Sequence, residues 1–124
     1  MNNLKASLFL YSGVSVLMGV LLMFPVNTAD FLGIGSTPSG LIFALLGAAY
    51  IAAAYLFMVA GFNPLLNLSA VKFAILWSAL MILASLYSIM AGYVSWGHIW
   101  FIVAIHFIFF LAFMIFYPWR RLQE

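Results

Sequence analysis

The sequence predicts an all-α integral membrane protein, an up-down-up-down bundle of four transmembrane helices. Four segments of 19 to 21 residues, Ala6–Phe24, Gly40–Ala60, Val71–Ala91 and Ile99–Tyr117, are almost free of charge. A helix of about 20 residues rises roughly 30 Å, the thickness of a bilayer's hydrocarbon core. Composition points the same way, with 69% hydrophobic and 5% charged residues, against roughly 25% charged in a soluble domain. If the chain crosses four times, its cations all fall on one side: Lys5 before the first helix, Lys72 opening the third, Arg120 and Arg121 after the fourth. Positive residues mark the cytoplasmic face, which places both termini there.

In order along the chain, the first span has a single Lys and an apolar run longer than a signal peptide's usual h-region of about 7–15 residues. The best cleavage position, after Ala29, has Asn27 where a small residue is wanted, so the span reads as an uncleaved signal-anchor helix. The connection Pro25–Ser39 holds Pro25, Asn27, Asp30, Gly33, Gly35 and Pro38, all turn formers. Its middle stays apolar, which suits a short segment lying in the interface or folded back over the bundle mouth. The second connection turns at Asn63-Pro64, and the third, Gly92–His98, is short. Such connections force antiparallel neighbours. Tyr93, Trp96 and Trp100 mark one interface and Tyr117 and Trp119 the other, because their rings are apolar at one end and polar at the other. The whole chain, 1–124, forms one membrane domain.

The second span carries small residues at four-residue spacing, Gly40, Ala44, Ala48 and Ala52, with Gly47, Ala49 and Ala53 alongside. Small residues let helix backbones approach closely in lipid, so these read as helix-packing positions. Ser15-x-x-x-Gly19 on the first span has the same character. A polar residue deep in a span is a candidate functional site, and His106 lies eight residues into the fourth. Similar depths on the other spans hold Ser15, Gly47 or Tyr50, and Ser85. A polar cluster of His106, Ser85, Ser15 and Tyr50 is therefore available, either as glue between helices or as part of a site. Haem ligation by His98 and His106 is disfavoured: they lie about 12 Å apart along one helix and cannot face each other across one iron.

Absences narrow the function. No Asp, Glu, Lys or Arg lies deep in a span, whereas small four-helix multidrug exporters of the SMR type need a membrane-embedded Glu. At that depth the first span has Tyr11, Ser12 and Ser15. There is no Cys, no Ser/His/Asp set and no phosphate-cradling loop. The pI of 9.2 rests on four cations against Asp30 and Glu124, too few and too scattered for a nucleic-acid surface. Neither a catalytic set, a metal site nor a cofactor is expected.

The stretch Phe24-Pro25, Phe31-Leu32-Gly33-Ile34, Leu46-Gly47-Ala48 and Asn63-Pro64 resembles the small BphX-like and DoxX-like four-helix membrane proteins. In those, a first helix ends in Pro, an LGL-type segment follows, and the second helix carries an Arg-x-x-Gly-Ala core. An Asp-Pro or Asn-Pro turn then leads into the third. The resemblance covers roughly the first half of the chain. Phe43 or Ala44 stands where the Arg usually is, so no role tied to that Arg carries over. What the resemblance implies is an up-and-down bundle, sometimes encoded beside oxidoreductase or degradation systems, without an established catalytic role for the BphX-like members.

The reading from sequence is thus a small accessory or interaction protein of the bacterial inner membrane. Its partners are membrane lipids and other membrane subunits or a second copy of itself. The alternative is binding or transport of an apolar small molecule, a quinone or lipid, near His106. The topology has a direct test. Reporters fused at Glu124 and inside the 25–39 connection are expected on opposite sides of the membrane, the first cytoplasmic; a periplasm-active reporter at Glu124 would overturn it.

Overall fold

The structure, a computed structural model, describes residues 1–24, 28, 30–31 and 40–119, with side chains in the second helix described from residue 42 onward. Among the described residues it consists of four α-helices and no strand: α1 (Asn2–Leu22), α2 (Gly40–Phe62), α3 (Leu68–Met90) and α4 (Trp96–Phe116). All four are long and apolar enough to cross a membrane. The protein is an all-α integral membrane bundle.

The helices begin earlier than hydropathy suggests, at Asn2 rather than Ala6, Leu68 rather than Val71 and Trp96 rather than Ile99. Hydropathy marks the hydrocarbon core, but the helical backbone continues through polar residues at the interface, where unpaired N–H and C=O groups are still costly. Each turn then has its own stop. After α3, Gly92 adopts φ +76°, its N–H bonds Ile89 C=O at 3.1 Å, and the Tyr93 N–H bonds Ser88 C=O at 2.9 Å. That paired arrangement closes a helix C-terminus on a left-handed residue, which glycine tolerates best. Between α2 and α3, Asn63 Oδ1 accepts from Leu66 N–H at 3.3 Å and Asn67 Nδ2 donates to Asn63 C=O at 2.9 Å.

Packing is strongest within the pairs α1–α2 and α3–α4, and lighter contacts of α2 with α3 and of α1 with α4 close the ring. One core cluster joins Leu4, Leu8 and Tyr11 from the first half of α1 with Ala53, Phe57 and Ala60 from the second half of α2. Val71 and Ala74, opening α3, and Phe113 and Tyr117, closing α4, complete it. Starts therefore meet ends, and successive helices run in opposite directions. Lys5 is the fourth residue of α1 and Lys72 the fifth of α3, so both lie at this near end of the bundle. Arg120 and Arg121 lie outside the described residues, as does most of the Pro25–Ser39 connection. Tyr117 is buried in the near-end core, whereas Tyr93, Trp96, Trp100 and Trp119 are exposed.

The crossing of α1 and α2 is set by two glycines. A Cβ added to Gly19 would lie 2.8 Å from Gly47 O, and one added to Gly47 would lie 2.8 Å from Gly19 O. The backbones touch there. Beside the crossing, Ser12 Oγ donates to Ala54 C=O at 2.7 Å. The row facing α1 is thus Gly47, Ala54 and their neighbours. Ala48 and Ala52, expected as packing positions, are exposed, Ala44 is half-buried, and the surroundings of Gly40 lie outside the described side chains. The helix is apolar on every side, so small size alone does not say which row turns inward; the match to Gly19 decides it.

Replacing Gly47 by Val should therefore force the two backbones apart and cost about 1–3 kcal/mol, as overpacking does. Gly13→Ala, where an added Cβ meets nothing within 4 Å, is expected to be neutral or stabilising by up to about 1 kcal/mol. Unfolding of both variants in detergent checks the contrast, and a neutral Gly47→Val would refute the close approach.

Candidate functional site

His106 is the eleventh of the 21 residues of α4, so about 15 Å of helix separates it from either end. It stands at the middle of α4, because the helix begins three residues before the apolar run does. The side chain is fully buried. A polar ring in hydrocarbon without hydrogen bonds would cost several kcal/mol, and here both ring nitrogens are engaged.

Tyr11 Oη lies 2.7 Å from His106 Nδ1. Tyr50 Oη lies 3.4 Å from Nε2 and donates to Met81 Sδ at 3.2 Å. The direction of the protons is assigned by the arrangement that satisfies the most polar groups. A tyrosine has one hydroxyl proton, and that of Tyr50 goes to the sulfur. Tyr50 can therefore only accept from His106, which places the imidazole proton on Nε2 and leaves Nδ1 to accept from Tyr11. The reverse tautomer would leave the Tyr11 proton without an acceptor. The chain reads Tyr11 O–H to Nδ1, Nε2–H to Tyr50 oxygen, Tyr50 O–H to sulfur, and it touches all four helices.

The local sequence explains each position. On α1 the buried residues Leu4, Leu8, Tyr11, Ser12, Ser15, Gly19 and Leu22 follow the three- and four-residue steps of one helix face. Tyr11 is clamped by aromatic rings: Phe57 stacks on it at 4.8 Å, Phe109 lies at 4.5 Å and Phe113 meets it edgewise at 5.3 Å. Its ring belongs to the near-end core while its hydroxyl reaches the midplane. Tyr50 is held differently, with Trp77 edge-on to it at 5.4 Å.

Above this layer the bundle does not close. A cavity of about 330 Å³ runs from Tyr50 and Met81 at its floor to Thr28, Phe31 and Val94 at the far end. Its walls are almost wholly apolar, including Met18, Leu22, Phe43, Leu46 and Ile102, with Ser85 and Ser88 on the α3 side. Phe31 packs edgewise on Phe101 at 5.4 Å across the mouth. Among known small-molecule sites of about 300–1,000 Å³, this is at the small end, and apolar walls with few polar groups are their usual lining.

Of the residues singled out from sequence, Tyr50 and His106 come together. Ser85 lines the cavity one turn beyond Met81. Ser15 is buried, yet its Oγ has no hydrogen-bond partner among the described residues, and neither has Trp77 Nε1. Tyr11, Met81 and Trp77 are the members that sequence reasoning left out. Tyr11 could have been found, since a mid-span tyrosine hydroxyl is an obvious donor for a mid-span imidazole. His98 is exposed at the start of α4 beside Ser95 Oγ, far from His106 along the same helix. For His106 to bind iron, one of its two tyrosine contacts would have to break. Among the described residues no three His, Asp or Glu side chains gather to hold a metal ion.

No protein-family model matches the chain, and neither does any curated protein or solved structure.

Tyr11→Phe should leave Nδ1 buried and unpaired, destabilising the protein by about 1–3 kcal/mol. In a His106→Leu background the same change should cost nothing or be favourable, because it then removes an orphaned hydroxyl. A double-mutant cycle in detergent is expected to give a coupling of about 1 kcal/mol or more; strict additivity would mean the contact contributes nothing.

Proposed function

We propose that the protein binds a predominantly apolar small molecule, of the quinone or lipid kind, between the far halves of its four helices. The observation that carries this reading is the 330 Å³ apolar cavity whose floor holds Tyr50 and Met81, the cavity-facing end of the hydrogen-bond chain from His106. Apolar walls supply most of the binding free energy through burial, and a few fixed polar groups orient the ligand. In this reading His106 acts indirectly: it holds the Tyr50 hydroxyl in place, and Tyr11 holds His106. No bond-making step is included. The protein lies in the bacterial inner membrane with both termini cytoplasmic, so the cavity faces the outer leaflet. Membership of the BphX-like and DoxX-like group belongs to the same proposal and is supported only by the residues of the first half.

A second reading, an accessory subunit of a larger membrane complex or a homo-oligomer, has separate support. Only 11% of the membrane window of α3 and 17% of that of α4 are buried inside the bundle, against 39% for α1 and 33% for α2. The outward faces of α3 and α4 are free for lipid or for a partner helix, and a subunit can also hold a ligand.

Ser85→Phe places a ring in the cavity without touching the hydrogen-bond chain. Mass analysis of small molecules extracted from purified protein should show at least a fivefold loss of the co-purifying compound, with the unfolding temperature unchanged. Retention at wild-type occupancy would remove the cavity from the proposal. For the second reading, native mass analysis in mild detergent is expected to show a particle larger than one chain, and a strictly monomeric particle would count against it.

A further inference from the structure

The direction of the protons in the midplane layer specifies the head group the cavity accepts, given the ligand-binding reading above. The spans contain no Asp, Glu or Gln, and Asn occurs in them only at positions 2 and 3. The layer therefore has several donors and, apart from hydroxyl oxygens and the His106 ring nitrogen, no strong side-chain acceptor. Its donors are the hydroxyls of Tyr11, Tyr50 and Ser15, the His106 Nε2–H and the Trp77 indole N–H. Nδ1 of His106 is already taken by Tyr11 at 2.7 Å. The Tyr50 proton is left with a thioether sulfur at 3.2 Å, a weak acceptor. The Trp77 N–H, on the ring packed edge-on to Tyr50, is buried with no acceptor at all among the described residues.

We infer that the cavity selects an apolar molecule whose head group is a carbonyl, which accepts a hydrogen bond from Tyr50 at the floor. A carbonyl oxygen brings the strong acceptor the layer lacks and no proton of its own. On binding, the Tyr50 hydroxyl turns from Met81 sulfur to the carbonyl, while its oxygen goes on accepting from His106. Nothing else in the chain has to change. The preference for an acceptor thus originates at Tyr11, whose donation to Nδ1 keeps the imidazole proton on Nε2 and so commits the oxygen of Tyr50, leaving its hydrogen as the transferable group. Ketones, quinones and the esters of membrane lipids share this chemistry; hydrocarbons lack it.

The test uses the full-length protein in lipid nanodiscs, with retention of probes over empty discs read by mass spectrometry. The probes are a long-chain methyl ketone, a methyl ester, an alkyl benzoquinone and an alkane of matched length. One added hydrogen bond should raise retention of each carbonyl probe about five- to tenfold over the alkane. Tyr50→Phe should bring the carbonyl probes down to the alkane and leave the alkane unchanged. Met81→Leu, a near-isosteric change, frees the Tyr50 proton from sulfur and should raise carbonyl retention about two- to fivefold. A merely structural role for Met81 gives no such gain. Whether ester or quinone ranks higher assigns the carbonyl to a lipid or a quinone source. Equal retention of carbonyl and alkane, or a carbonyl excess that survives Tyr50→Phe, overturns this inference while leaving the cavity reading in place. No probe retained above empty discs overturns both.

Discussion

A histidine at the centre of a membrane must have both ring nitrogens satisfied, and the rest of this bundle is arranged around that requirement. Bilayer hydrocarbon offers no hydrogen-bond partner, and the apolar side chains nearby offer none either. Tyrosines from two other helices meet it instead, Tyr11 from α1 and Tyr50 from α2, and Tyr50 passes the chain to Met81 on α3. One connected polar layer thereby fixes the depth of all four helices relative to one another. Apolar packing alone specifies such register weakly, because sliding an all-apolar helix by a turn exchanges one aliphatic contact for another.

The two halves of the bundle differ because of which residues stand on either side of this layer. Towards the near end the inward positions are large rings, Tyr11, Phe57, Phe109 and Phe113, which fill the space between the helices. Towards the far end, small residues enter the packing: Gly19 and Gly47 draw α1 and α2 together, and Ala84 and Ser85 from α3 line the cavity. The α1–α2 contact is tight there, while Met81 from α3 and Ile99, Phe101 and Ile102 from α4 line the opposite wall without filling the space between. A filled half and a hollow half follow, with Tyr50 at the boundary. The same tyrosine thus serves the packing requirement of His106 on one side and faces the cavity on the other.

Much of this was legible in the residues. Span length and the single-sided cations give four helices of alternating direction, and matching depths from the helix ends brings His106 next to Tyr50. What depends on side-chain reach is not legible in residue spacing. Counting by Cα level paired His106 with Ser15, whereas Tyr11 sits one turn, about 5.4 Å, nearer the near end, and its long side chain spans that difference. The small-residue rows of α2 were equally ambiguous. Gly40, Ala44, Ala48 and Ala52 form the more regular series, yet the row containing Gly47 faces α1, because only there does a glycine on α1 stand opposite. Met81 carries no signal in a span full of aliphatic residues. Its role exists only because a tyrosine hydroxyl ends beside its sulfur.

The role of His106 rests on the direction of the chain, Tyr11 donating and Tyr50 accepting. Nitrogen-15 solid-state NMR of histidine-labelled protein in bilayers reads it directly. His98 can be replaced by Asn so that a single imidazole remains. The expected spectrum has a pyridine-type, unprotonated Nδ1 and a pyrrole-type, protonated Nε2, with the Nδ1 resonance moving in Tyr11→Phe. A spectrum with the proton on Nδ1, or with both nitrogens protonated, would contradict it.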